Sequence, residues 1–330
     1  LVYKRMIGTG CIGGKACGML LARKIIQKDN PEAFAHMEPH DSYYLGSDVF
    51  YTYIVHNKFW RLHIHQKTKQ GYFKLAPQLE QAFLSGSFPE AIRLQFIRML
   101  EYFGQRPIIV RSSSLQEDAF GNAFAGKYES VFCINTGTMD ERLTELENAV
   151  RTVYASTMNT SALEYRRQRG LGFKDEQMAL LIQRVSGSMY EDFLMPNAAG
   201  VGYSYSAYKW DDSIDASDGM LRLVMGLGTR AVDRTEGDYP RIVNLSAPER
   251  STLTESWAKH QYSQRYVDLM DYTTKSLSSR PLKDVTPYMD SWYKKLVLEH
   301  DSDAERTFRE RGQRREILFA NCEGLVRNTE

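Results

Sequence analysis

Two cations occupy positions where a chain needs a reason to put charge. Lys15 follows the glycine cluster of "GTGCIGGKACG" where a helical pattern begins, and Arg111 ends the apolar run "PIIVR" ahead of "SSSLQEDAFGNAFAGKYES". Glycines before a helix bare backbone N–H groups, and the helix dipole adds partial positive charge, so an anion is favoured there. An arginine at the end of a buried strand is costly without a negative partner. The chemistry that both suggest is phosphate binding. Ser112 to Ser114 add hydroxyls and N–H groups, and Gly121 and Gly126 give the following loop the freedom to close over an anion.

Each feature also has other readings. Gly8, Gly10 and Gly13 satisfy GxGxxG, the dinucleotide fingerprint, but no acidic residue ends an obvious second parallel strand about 20 residues on. The Walker pattern fails, because Thr9 replaces its first glycine and Ala16 stands where a metal-binding hydroxyl belongs. A simpler reading has Gly13 and Gly14 open the helix so that Lys15 meets a phosphate; the bland one is a glycine turn with a solvated lysine. Arg111 could likewise be answered internally, by Glu117 or Asp118.

The elements that position these residues are partly legible. A short strand "LVYKRMI" leads into the glycine turn, and Met19, Leu20, Ala22 and Ile26 recur at helical spacing behind it. Residues 88–104 carry a helical stripe of Ile92, Phe96, Met99, Leu100 and Phe103, closed by Gly104. Thr138 and Glu141 form a capping box ahead of a Leu143, Leu146, Val150, Val153 face. "PIIVR" and "EQMALLIQRV" read as buried strands, and "GVGYSYSAYKW", "GMLRLVMGLG" and "REILFA" as further strands. "SDVFYTYIVHNKFWRLHIHQ" reads as two alternating strands around "HNK", with His63 and His65 on a solvated face, and "YSQRYVDLMDYTTK" reads as helical.

The whole chain sets bounds. Its 330 residues exceed one usual unit, so two or three subdomains are expected. Lys+Arg 42 against Asp+Glu 41 leaves a net charge of +1, so no global field draws the chain to nucleic acid or to an anionic membrane. Any anion must be caught locally. Without a signal-peptide pattern or an apolar run long enough to span a bilayer, the chain reads as cytoplasmic with no membrane partner. Its four scattered cysteines suggest neither zinc nor a disulfide framework. Because it opens at Leu1, it is expected to be part of something longer.

The blocks "GGKACGM", "IIVRSSSLQEDAFGNAFAGKYES", "LLIQRVSG", "AGVGYSY" and "VMGLGTRAVDR", in that order across residues 8–245, resemble the ATP-binding region of phosphoenolpyruvate synthase and pyruvate phosphate dikinase. The resemblance implies an α/β (α+β), ATP-grasp-like fold with two lobes: residues 1–106 as an N-terminal subdomain with the glycine turn, 107–245 as the core, and 246–330 as a mostly helical extension. It implies ATP phosphates on Lys15 and Arg111, the two catalytic candidates. Gly13, Gly14 and Ser112 would lie beside them, Gly126 and Ser130 in a loop over the triphosphate, and Gln183 beside the adenine. Thr229 stands where relatives more often have glutamate and receives no role. Mg²⁺ is implied as well, but the acidic-x-acidic strand that holds it in relatives has no counterpart in residues 246–330, where Glu316 and Glu323 are poor substitutes. Its ligands, with the phosphohistidine and pyruvate-binding domains, are expected outside this chain. The chain alone is then expected to bind ATP without turning it over, and a homodimer is the oligomer the resemblance admits. A non-catalytic ATP-sensing module, a dikinase with another acceptor and a dinucleotide-dependent oxidoreductase are the competing readings.

Overall fold

Helical packing of aromatic residues and a mixed sheet organise the first half of the chain. The computed structural model describes residues 2–39, 41–117, 126–209, 212–233, 235–251 and 255–327. Contacts divide the chain into two units, Leu1–Val185 and Ser186–Glu330.

In the first unit five strands pair in the order β1-β2-β5-β3-β4: β1 is Met6–Ile7, β2 Ser42–Leu45, β3 Ile108–Ser112, β4 Ser130–Cys133 and β5 Leu180–Arg184. Only β1 and β2 are parallel; the other neighbours are antiparallel. Because side chains alternate along a strand, the sheet has two distinct faces. Ile7, Leu45, Ile108, Val110, Cys133, Leu180 and Ile182 enter the main core, where Phe96, Met99 and Leu100 of the helix Glu90–Phe103 and Leu146 and Val150 of the helix Met139–Ala155 meet them. The second of these helices starts at the expected capping box: Thr138 accepts from the Glu141 N–H, and the Glu141 carboxylate accepts from the Thr138 N–H at 2.7 Å. Tyr44 and Leu181 point to the other face, where they pack with Ala16 of the helix Gly14–Asp29.

"SDVFYTYIVHNKFWRLHIHQ" is not a pair of strands. It forms two helices, Ser47–His56 and Trp60–Gln66. Val49, Phe50, Tyr53 and Ile54 form a buried helical face, whereas Trp60 and Ile64, which an alternating strand would bury, are exposed. His63, expected on a solvated face, is 2% exposed. Its ring meets Phe50 edge-on at 6.3 Å.

Among the described residues the second unit holds three antiparallel sheets. One is β8-β9-β10, formed by Ala199–Tyr203, Met220–Val224 and Arg241–Asn244. Another runs β12-β11-β7-β6, with β6 Ser188–Tyr190, β7 Phe193–Met195, β11 Tyr266–Asp271 and β12 Ser276–Pro281. The third pairs β13 Leu298–His300 with β14 Leu318–Ala320. Strand β11 lies where a helix was expected. Its Val267, Leu269 and Met270 are all buried, so both of its faces are covered and the alternation of an exposed strand is lost. Residues 246–330 therefore carry strands as well as the expected helices. Among the described residues no helix is long and apolar enough to cross a membrane.

Candidate functional site

The glycine turn and the serine loop after β3 are built against each other. Gly13 sits at φ +79, and a Cβ there would lie 1.4 Å from the Ser113 carbonyl oxygen; at Gly14 a Cβ would lie 2.0 Å from the Glu117 carbonyl oxygen. These glycines permit a close backbone approach. The Gly14 N–H donates to Ser114 O at 3.0 Å, the Ala16 N–H to Ser113 Oγ at 3.0 Å, and Ser113 Oγ donates to Ile12 O at 2.8 Å. The serine loop thus caps the start of the helix Gly14–Asp29.

Lys15 is answered inside the fold. Its Nζ donates to Glu117 Oε1 at 2.8 Å and to Ser112 Oγ at 2.9 Å. Ser112 Oγ also donates to Glu117 Oε1 at 2.8 Å, and the Ser114 N–H to Glu117 Oε2 at 2.8 Å. The Glu117 side chain is 0% exposed and that of Lys15 23% exposed, so the carboxylate is sealed while the ammonium reaches the surface. Glu117, considered above as a partner for Arg111, is instead the partner of Lys15. Asp118, the other candidate, lies outside the described residues, and so do residues 118–125 of the loop expected to cover an anion.

The earlier part of the glycine turn also has an internal occupant. The N–H groups of Thr9 and Gly10 donate to the two Asp48 carboxylate oxygens at 2.9 and 2.8 Å, and the Cys11 N–H donates to Ser47 Oγ at 3.2 Å. The fold does supply a second parallel strand, β2, with Asp48 just beyond it. That carboxylate fills the turn that a dinucleotide pyrophosphate would need.

Arg111, Ser130 and Gln183 share one side of the sheet. Residues directly opposite in an antiparallel pair project to the same face. Arg111 opposes Leu181 on one side and Ser130 on the other, and Leu181 opposes Tyr44. Arg111 and Ser130 therefore project on the side that carries the helix Gly14–Asp29. Gln183, two residues after Leu181, projects there too, and its Nε2 donates to Met19 Sδ of that helix at 3.3 Å. Gly126 is exposed at φ +67, and among the described residues nothing lies within 4 Å of where a Cβ would point.

Another polar network escaped the sequence reading. Tyr128, from the "GKYES" segment, is buried, and its hydroxyl donates to Glu176 Oε2 at 2.5 Å. Arg166 Nη1 reaches the same oxygen at 3.3 Å, and Arg166 Nη2 donates to Thr157 O at 2.7 Å. Burial foremost, then the negative charge of Glu176, pushes the Tyr128 phenol far up from its ordinary value. A tyrosine after a glycine-rich loop gives no sign in sequence that it is a buried anchor.

Carboxylates of the second unit are also engaged. Asp268 accepts from Thr229 Oγ1 at 2.7 Å and from Arg230 Nε at 2.8 Å; Arg280 pairs with Asp192 and Asp271; Glu323 pairs with Arg241 at 2.8 Å and Arg327 at 2.5 Å. Among the described residues no group of three or more His, Cys, Asp or Glu could hold a metal ion, so the donors present do not fit a resident Mg²⁺. A cavity of about 830 Å³ in this unit is lined by Tyr239, Tyr262 and Arg241 among others, and by none of the candidate residues named above.

No curated protein matches the chain. Residues 9–287 match the family described as pyruvate phosphate dikinase, AMP/ATP-binding domain. The match takes in the glycine turn, the serine loop and β5, and the chain belongs to this family of nucleotide-binding domains.

Proposed function

We propose that Lys15, Arg111, Ser130 and Gln183 form the ATP contact surface of a phosphoenolpyruvate synthase- or pyruvate phosphate dikinase-like phosphotransferase. The observation that carries this reading is the register of β3, β4 and β5, which sends Arg111, Ser130 and Gln183 to the side of the sheet covered by the lysine-bearing helix. Arg111 supplies a planar guanidinium for phosphate oxygens, Lys15 a directed N–H, and Gln183 a polar edge for the base. Gly13 and Gly14 act indirectly, by letting the serine loop approach closely enough to place Lys15. In the whole protein ATP phosphorylates a histidine on a mobile domain, which carries the phosphoryl group to pyruvate. The residues described here bind and orient the nucleotide, and turnover belongs to the phosphohistidine and pyruvate-binding domains. Positioning alone is a large part of phosphoryl-transfer catalysis. The described residues do not fit a resident Mg²⁺, and the ligands for that ion would come from outside this chain.

Isothermal calorimetry with ATP tests the reading. A charge-assisted contact contributes about 1.5 to 3 kcal/mol, so Arg111→Ala is expected to weaken ATP binding roughly ten- to a hundredfold. An Arg111→Ala protein that binds ATP as wild type does would remove Arg111 from the site.

A further inference from the structure

We infer that Glu117 is a positioning residue for nucleotide binding: it holds Lys15 in a net-neutral pair, so that Lys15 meets a phosphate as a directed hydrogen-bond donor and not as a loose positive charge. This rests on the reading above that Lys15 contacts ATP.

The geometry leaves Lys15 little freedom. A lysine ammonium has three N–H donors. Two are committed here, to Glu117 Oε1 and Ser112 Oγ. Among the described residues the third has no partner, and the side chain is 23% exposed. The backbone on either side is tied down too, by the Gly14 and Ala16 N–H bonds to the serine loop. A surface lysine is ordinarily a mobile point charge on a flexible stem.

Glu117 also decides what happens when an anion arrives. Its side chain is fully buried and accepts from Ser112 Oγ, the Ser114 N–H and Lys15. If Lys15 left for a phosphate, a buried carboxylate would remain without its counter-charge, which is strongly unfavourable. The pair therefore stays closed, and the phosphate adds to it. The bland alternative is that the pair only staples the helix Gly14–Asp29 to the serine loop.

Three variants of the chain separate the two, with ATP binding followed by calorimetry across a salt series. Lys15→Met is expected to weaken binding roughly ten- to a hundredfold, because it removes the donor and leaves the buried Glu117 charge uncompensated near the phosphates. Adding Glu117→Gln to Lys15→Met is expected to restore about threefold or more, because it removes that charge. A staple would also recover when the stranded carboxylate is neutralised, so the salt series is what separates the two. Glu117→Gln alone keeps the side-chain volume and leaves Lys15 with one uncompensated positive charge, so ATP affinity should fall more steeply with salt than in wild type. That single variant carries the test if Lys15→Met does not fold. Parallel salt dependences, or a double variant that binds no better than Lys15→Met, overturn the inference while leaving ATP binding intact. Failure of the wild-type chain to bind ATP overturns the nucleotide reading and this inference together.

Discussion

Gly10 donates its backbone N–H to Asp48 Oδ1 at 2.8 Å, across 38 positions of sequence. With the Thr9 N–H on the second oxygen, one carboxylate closes a glycine turn of the kind that elsewhere cradles an external anion. Asp48 also lies in the first turn of the helix Ser47–His56, where its charge suits the helix dipole. Replacing it by alanine removes the acceptor for two amides, and Asp48→Ala is expected to destabilise the chain by about 1 to 3 kcal/mol in urea unfolding. Unchanged stability would mean that the turn does not depend on this carboxylate.

Gly13→Ala is expected to be more damaging. The new methyl would sit 1.4 Å from a backbone oxygen, and φ +79 is a conformation that alanine adopts only under strain. The clash is with main chain, which cannot rotate away as a side chain can. Backbone strain and overpacking together are expected to cost about 3 kcal/mol or more, read as a lower urea midpoint. A normal midpoint would show that the serine loop and the helix can separate at little cost.

Acid stability should report on His63. Burial first, then the positive charges of Lys67 and Arg166, lowers its imidazole from its ordinary 6.5 to about 3. The unfolded chain takes up a proton near the ordinary value while the folded chain does not. The contribution is therefore fully present above about pH 6.5 and is lost as pH falls toward about 3, at up to about 1.4 kcal/mol per pH unit. Unfolding free energies of wild type and His63→Leu between those limits check this. The leucine variant should show the shallower fall, and identical slopes would contradict a buried neutral imidazole.

Tyr128→Phe keeps the ring and deletes the hydroxyl that Glu176 accepts. The carboxylate stays buried with Arg166 as its remaining hydrogen-bonding partner among the interactions described above. A loss of about 1 to 3 kcal/mol in unfolding free energy is expected. Stability equal to wild type would indicate that water or a neighbouring group replaces the phenol.

What could be read beforehand was local. The helix Glu90–Phe103 and the capping box at Thr138 follow from spacings of three and four residues, and β3 and β5 from short apolar runs between polar flanks. The segment 47–66 misled because its aromatic and β-branched residues favour strands, and Trp60, Leu62 and Ile64 alternate. Tertiary packing overrode that preference. Phe50 and Tyr53 sit in a helical face that meets Phe83 and Tyr154, a contact no local pattern records. At the candidate site the residue types were visible, but their partners were not. Lys15 and Glu117 are 102 positions apart, and a carboxylate so placed could equally have answered Arg111.

The pairing of β3 with β5 limits how this stretch of sequence can change over time. Along Ile108–Ser112, Ile108 and Val110 enter the core, and Ile109 and Arg111 project to the side that carries the helix Gly14–Asp29. Losing or gaining a single codon within those five positions would exchange the faces, turning Arg111 toward Phe96 and Val150 and putting Val110 in its place. Substitutions can be absorbed one at a time, but a length change here cannot. Insertions and deletions should therefore accumulate in the connecting loops, while this strand keeps its length as its individual letters drift.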